Sequence, residues 1–243
     1  MPLLSDTRSI NSQGVAPRSG WHRTLAVILL SRFALNLQWR IVYPFLPAIS
    51  RGLGVPLEIA SLLLTVRALA GMTSPIFGIL ADRRGRWAPM IGGLAALAVG
   101  AALVSVAPSF SLALGAFALL GLSKASYDPG LQAYIGDAVP YEERGRVMGI
   151  LELPWSLAWL IGVPVSGFLI ARIGWRAPFW IIAGLGLLSL LFTLLVCAQY
   201  IRTPTGHRPS SRIQHSSRPS KCRLPAAAPP RRPRHRFEPG PRR

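Results

Sequence analysis

The stretch GILADRRGRW, residues 78–87, decides the fold. It sits between two apolar runs, 57–81 and 88–107. A hydrocarbon core of ~30 Å takes about 20 helical residues to cross, so each run is long enough to span a bilayer. Arg83, Arg84 and Arg86 cross hydrocarbon only at high cost, which pins the turn to the face of the membrane where lysine and arginine collect. Gly78 is expected to let two helices approach closely. Asp82 is expected to accept hydrogen bonds at a helix end.

Working outward, four more segments have the same length and character, giving six in all: 24–47, 57–81, 88–107, 111–136, 147–171 and 177–200. The chain therefore reads as an all-α integral membrane protein of six transmembrane helices. The connections are short, at 47–56, 107–111, 141–146 and 174–177. Residues 51% hydrophobic and only 15% charged set it apart from soluble domains, in which roughly 25% of residues are charged. The net charge of +18 is unevenly spread. Residues 202–243 hold twelve of the 27 basic residues and one acid, Glu238. Three regions follow: an N-terminal segment 1–23, a six-helix unit 24–201, and a Pro/Arg-rich tail 202–243 with no apolar periodicity, expected to be disordered. Residues 1–20 lack the short apolar core and cleavage site of a signal peptide.

Lysine and arginine near the helix ends set the orientation. One set of ends carries Arg8, Arg18, Arg23, Arg83, Arg84, Arg86, Arg144, Arg146 and the tail. The other carries Arg51, Arg172 and Arg176. Both termini are expected in the cytoplasm, with the chain in the plasma (inner) membrane.

Ionisable residues inside a span cost ~2.5–3.5 kcal/mol each on insertion scales, so each one marks a candidate site. Arg32, Asn36, Arg40 and Tyr43 share one face of the first span. Arg67 stands near the middle of the second. Lys124 and Asp128 are four apart in the fourth, beside Tyr127 and Gln132. Glu152, Trp155, Ser156 and Trp159 lie in the fifth. A central aqueous cavity accounts for all of these stripes at once, with Asn36, Arg40, Arg67, Lys124, Asp128, Glu152 and Trp155 as its candidate lining. Arg67 and Glu152 have no route to the interface and are the first choices for solute or proton contact. Lys124 and Asp128 either neutralise each other or take part in transport. Arg32 is placed near enough to the cytoplasmic end to snorkel. Asp137 reads as structural, and Trp175 and Trp180 as an interfacial belt. Gly71, Ser74 and Gly78 share a face of the second span, and Gly162 and Gly167 bracket Pro164 in the fifth; both sets are read as close-packing surfaces.

The ordered set Gly78, Leu80, Ala81, Asp82, Arg83, Gly85 and Arg86 resembles the signature loop of the major facilitator superfamily of secondary transporters. The run 127–156, YDPGLQAYIGDAVPYEERGRVMGILELPWS, looks like the fourth helix, loop and fifth helix of that family's drug or sugar efflux permeases. Residues 174–181, GWRAPFWI, look like the start of its sixth helix. The resemblance covers about 24–200 and implies the amino-terminal six-helix half of the family fold. It further implies that Asp82 and Arg86 lock one access state. Two departures stand out. No arginine occurs at 113–120, and the fifth-helix exporter motif appears as GVPVSG at 162–167, with Val163 interposed.

The family has a second half around a central site. Here the tail begins where the inter-half loop would, and its Arg, Pro, Ala, Gly, Ser and His resemble a GC-rich gene read out of frame. The expectation is a truncated or frameshifted transporter. Its function is secondary transport of a small solute, by proton-coupled efflux through Glu152 or Asp128. Two alternatives stay open: a non-transporting membrane fragment or assembly partner, and a membrane-anchored basic tail binding anionic lipid or nucleic acid. Nucleic acid is disfavoured, because Phe237 is the tail's one aromatic residue. The partners expected are a small-molecule solute, protons, membrane lipid, and a missing second half or homodimer mate. No cofactor, metal site or catalytic constellation is expected, and no enzyme.

Overall fold

The computed structural model describes residues 21–202. The N-terminal segment up to residue 20 and the tail from 203 lie outside the described residues. The six spanning helices are α1 (Trp21–Leu53), α2 (Leu57–Arg83), α3 (Trp87–Val106), α4 (Phe110–Ala138), α5 (Tyr141–Arg172) and α6 (Ala177–Arg202).

Two expected boundaries move. The first span was expected to stop at Pro47, but α1 runs on through Pro44 and Pro47 to Leu53. A proline removes one hydrogen bond, and membrane helices tolerate that loss. The actual stop is Gly54, at φ 67°, where Val55 N–H bonds back to the Ser50 carbonyl at 3.2 Å. A left-handed residue, most easily a glycine, closes the helix in this way. Residues 141–146, expected as a linker, form the first turns of α5. Pro140 stands just before the helix, and Glu142 and Glu143 lie in its first turn, where carboxylates favour the helix dipole.

α2 and α5 are each interrupted near a proline. In α2 the pieces meet at Met72 and Thr73, two residues before Pro75. In α5 a π-turn, Ala158–Gly162, precedes Pro164. Pro164 has no N–H, and the freed register is taken up by a wider turn, in which Val163 N–H reaches the Ala158 carbonyl.

The helices pack as a chain of neighbours: α5 on α1, α1 on α6, α6 on α3, α3 on α4, and α4 on α2. Glycines set the tightest of these contacts. A Cβ on Gly121 would collide with the Arg67 carbonyl on α2, one on Gly93 with the α4 backbone, and one on Gly162 with Leu37 on α1. Gly167 meets the Phe45 ring as the sequence suggested. Gly71 and Gly78 do not act as expected: a Cβ on either meets nothing within 4 Å. α4 scarcely touches α1 or α5, so a gap remains between α1 and α5 on one side and α2 and α4 on the other. Gly71 and Ser74 line it.

The two ends of the bundle are fixed by separate contacts. At one end Arg86, between α2 and α3, reaches Asp137 at the end of α4. At the other, the Arg176 guanidinium donates to the Ala107 carbonyl at 2.6 Å, capping α3. There Trp175 covers Gly52 and meets Phe179 edge-on at 6.4 Å. Trp175 is thus a packing residue rather than part of a belt, whereas Trp180 is exposed as a belt residue would be. Leu69, Met72, Ile76 and Ile79 of α2 and Leu160 and Phe168 of α5 present exposed apolar surface, as lipid-facing or partner-facing helices do.

Candidate functional site: a cation-rich cavity and an ionic latch

The polar stripe of α1 fans out to three other helices. Arg32 lies between α4 and α5. Its guanidinium donates to Glu152 Oε1 at 3.0 Å and stands 3.9 Å from Asp128 Oδ1. Lys124 Nζ bonds Asp128 Oδ2 at 2.9 Å and Asn36 Oδ1 at 3.2 Å. Arg32 does not snorkel: its side chain is only 12% exposed. Two carboxylates within reach hold it inside more strongly than the distant interface draws it out. The sequence carried the sign of this, since Arg32 shares a face with Asn36 and Arg40, but the acids that hold it lie on other helices. Lys124 and Asp128 do pair, as one reading of their spacing held, and Asp128 is shared with Arg32.

A turn further along α1, the cations meet aromatic rings instead of acids. The Arg40 guanidinium lies over Trp155, 3.4 Å from the ring centroid, and 4.7 Å from that of Trp159. Arg67 on α2 lies over Trp39 at 4.1 Å and 5.3 Å from Tyr43. Its Nη1 donates to the carbonyls of Gln38 and Trp39 at 3.4 and 3.3 Å. Such cation–π contacts contribute about 0.5–2 kcal/mol each. Arg67 is 1% exposed, and its Nε and Nη2 have no hydrogen-bond partner. Among the described residues no carboxylate pairs with Arg40 or Arg67. Glu152 departs from the expectation of a buried carboxyl: its side chain is 63% exposed, on the open face of the bundle.

Between these layers lies a cavity of about 210 Å³, lined by Trp39, Gly71, Ser74, Gly121, Lys124, Ala125 and Asp128. Of the candidate lining residues, Lys124 and Asp128 face it directly. Asn36, Arg40, Glu152 and Trp155 do not line it and join the group through contacts with Lys124, with Arg32 or with each other, and Arg67 contacts none of them, lying instead over Trp39. Trp39, which the sequence did not single out, separates the cavity from Arg67.

The residues of the 78–87 turn build a second site. Gly85, at φ 91°, takes a backbone that L side chains rarely adopt. That bend brings Arg86 back over the end of α2, where its guanidinium bonds Asp82, while Nε donates to Asp137 Oδ2 at 2.8 Å. Asp137 is therefore the third member of the latch, and no spacing rule links it to a residue 51 positions away. The hydrogen bonds to Asp137 and then Asp82 push the Arg86 guanidinium above its ordinary pKa. Arg83 is exposed and takes no part in the Asp82–Arg86–Asp137 cluster. Nearby, Arg144 caps α4 through the carbonyls of Gly136 (2.5 Å) and Val139 (3.1 Å).

A six-helix integral membrane bundle with charges converging inside the hydrocarbon layer defines one unit of a carrier-type membrane protein. The family model described as the Major Facilitator Superfamily matches residues 28–236. The chain belongs to that superfamily. It is 31% identical over 179 residues to a protein of Lactococcus lactis named "Multi-drug resistance efflux pump PmrA homolog", covering 72% of this chain and 44% of the relative. It is 29% identical over 150 residues to "Uncharacterized MFS-type transporter YwfA" of Bacillus subtilis, covering 61% of this chain and 36% of that one. A crystal structure of the POT family transporter PepTSo superposes with a TM-score of 0.64 at 15% identity. The superposition covers 73% of this chain and 38% of that one, a likeness of fold alone. The chain spans less than half the length of these relatives.

Proposed function

We propose that residues 24–201 form one wall of the solute pathway of a secondary transporter that exports a small solute in exchange for protons. The observation that carries the reading is the convergence of α1, α2 and α4 on one charged cavity, with α5 tied to its ion pairs through Glu152. Charges at that depth are costly unless they serve a pathway. Glu152 and Asp128 are the proton-carrying candidates, because both contact Arg32 and a proton on either carboxyl would remove one of its two partners. The Asp82–Arg86–Asp137 latch joins the ends of α2 and α4 and holds one access state. The latch end lies in the cytoplasm with both termini, in the plasma (inner) membrane, by the arginine asymmetry. Glu152 stands on an open face, so a second six-helix unit or a second copy of the chain covers it during transport.

Reporter fusions after Gly54, Arg86, Pro108, Arg144, Gly174 and Arg202 test the topology, and are expected to alternate outside and inside. An outside signal at Arg86 would sink it. Flux into proteoliposomes, measured across a range of protein-to-lipid ratios, tests the need for a mate. Flux rising with the square of protein density identifies a homodimer, and none at any density identifies a missing half. Flux strictly proportional to protein overturns the need for a mate. In a transporting assembly, Glu152→Gln or Asp128→Asn removes the dependence of flux on a pH gradient. Survival of that dependence in both variants rules out proton coupling through this half.

A further inference from the structure

We infer that the solute handled at this wall is an organic anion whose negative group is joined to an aromatic or apolar body, an inference that rests on the transport reading above. Four cations, Arg32, Arg40, Arg67 and Lys124, face two carboxylates, Asp128 and Glu152. Those acids are spent on Arg32 and Lys124. Arg67 is sealed by packing and holds two backbone carbonyls. Arg40 differs. It is only partly buried, its Nε has no hydrogen-bond partner, and among the described residues its guanidinium meets no carboxylate and lies over the indoles of Trp155 and Trp159. Lys124 Nζ approaches the same Trp155 ring, at 6.0 Å from its centroid, and lines the cavity. Two cations thus bracket one indole.

A carboxylate, sulfonate or phosphate fits that arrangement. It accepts from the donor fork of Arg40, whose parallel N–H groups reach two oxygens of one anionic group, while its ring lies against the tryptophans. A cationic solute would bring a like charge to a wall already in positive excess, where little water screens the repulsion.

The test is titration calorimetry on the full chain in phosphatidylcholine nanodiscs, with 2-naphthalenesulfonate and 2-naphthylmethylammonium as probes. The sulfonate is expected to bind about tenfold tighter than the ammonium. Arg40→Gln weakens it about tenfold, Arg40→Lys recovers part of the loss, and Lys124→Gln weakens it about threefold. Arg212→Gln, in the basic tail, leaves it unchanged. Equal or tighter binding of the ammonium overturns the proposal, as does no binding of the sulfonate. So does an unchanged sulfonate affinity in Arg40→Gln; if that variant is not monodisperse, unchanged affinity in both Arg40→Lys and Lys124→Gln overturns it equally. Sulfonate binding without flux from any assembly sinks the transport reading and leaves the anion preference standing. Flux with preferred ammonium binding does the reverse.

Discussion

The latch and the cavity are built from the same kinds of residue and balance their charge in opposite ways. At the latch one arginine serves two aspartates, and all three side chains are at least 30% exposed. Around the cavity two acids serve two of four cations, and Arg32, Lys124 and Asp128 are 12–26% exposed while Glu152 is 63% exposed. Water screens the first group, so its pairs contribute little to stability. The Lys124–Asp128 pair of the second group is less exposed, so it matters more, and the surplus cations fall back on aromatic faces and backbone carbonyls. The latch can open at small cost. The cavity cannot rearrange without something to meet its charge.

α2 joins the two regions, carrying Asp82 at one and Gly71 and Ser74 at the other, and the largest expected effect comes from forcing it off α4. Gly121→Ala places a methyl group against the Arg67 carbonyl, backbone that cannot move aside. A loss of about 3 kcal/mol is expected from overpacking, seen as early thermal aggregation in detergent. Gly115→Ala, on the same helix with nothing within 4 Å, is expected to stay within ~1 kcal/mol of the parent. Equal behaviour of the two variants would show that α2 is not held at Gly121.

Asp128→Asn tests the cavity side of the comparison. It strips Lys124 of its carboxylate and leaves Arg32 with Glu152 alone, and is expected to cost about 2–3 kcal/mol in thermal unfolding, little changed by 0.5 M salt. A loss that vanished in salt would mean the cavity is as wet as the latch. On the latch side, Asp137→Asn is expected to cost ~1 kcal/mol or less at low salt, and nothing measurable at high salt. Asp82→Asn in the same background should add less than it costs alone, since both serve Arg86. Strict additivity would break the three-membered latch apart. The smallest effect belongs to Arg83→Gln, expected within ~0.5 kcal/mol because the side chain is exposed and outside the cluster. A larger change there would mean that the turn has a partner beyond Asp82 and Asp137.

The sequence by itself determined the six spans, their all-helical character and the family. Hydrocarbon thickness fixes the length of an apolar run, and the 78–87 turn carries a local, ordered motif. It also singled out Lys124 and Asp128, which line the cavity, because a charge within a span is conspicuous wherever it points. Local spacing determined the Lys124–Asp128 and Asp82–Arg86 pairs, each four apart on one helix. Tertiary structure alone decided the rest. It took Arg32 from the interface to Glu152, 120 residues away, and made Asp137 the second anchor of Arg86. It set Arg40 against tryptophans of α5 rather than in open space, turned Gly71 from a packing face into cavity lining, and left Gly78 with no close neighbour. In each case the partner lies on another helix, and helical periodicity states which residues share a face but not which faces meet. The choice among faces was made by the glycines at 93 and 121, where two backbones come closer than any side chain allows, and at 162, where the Leu37 side chain fills the place of a Cβ.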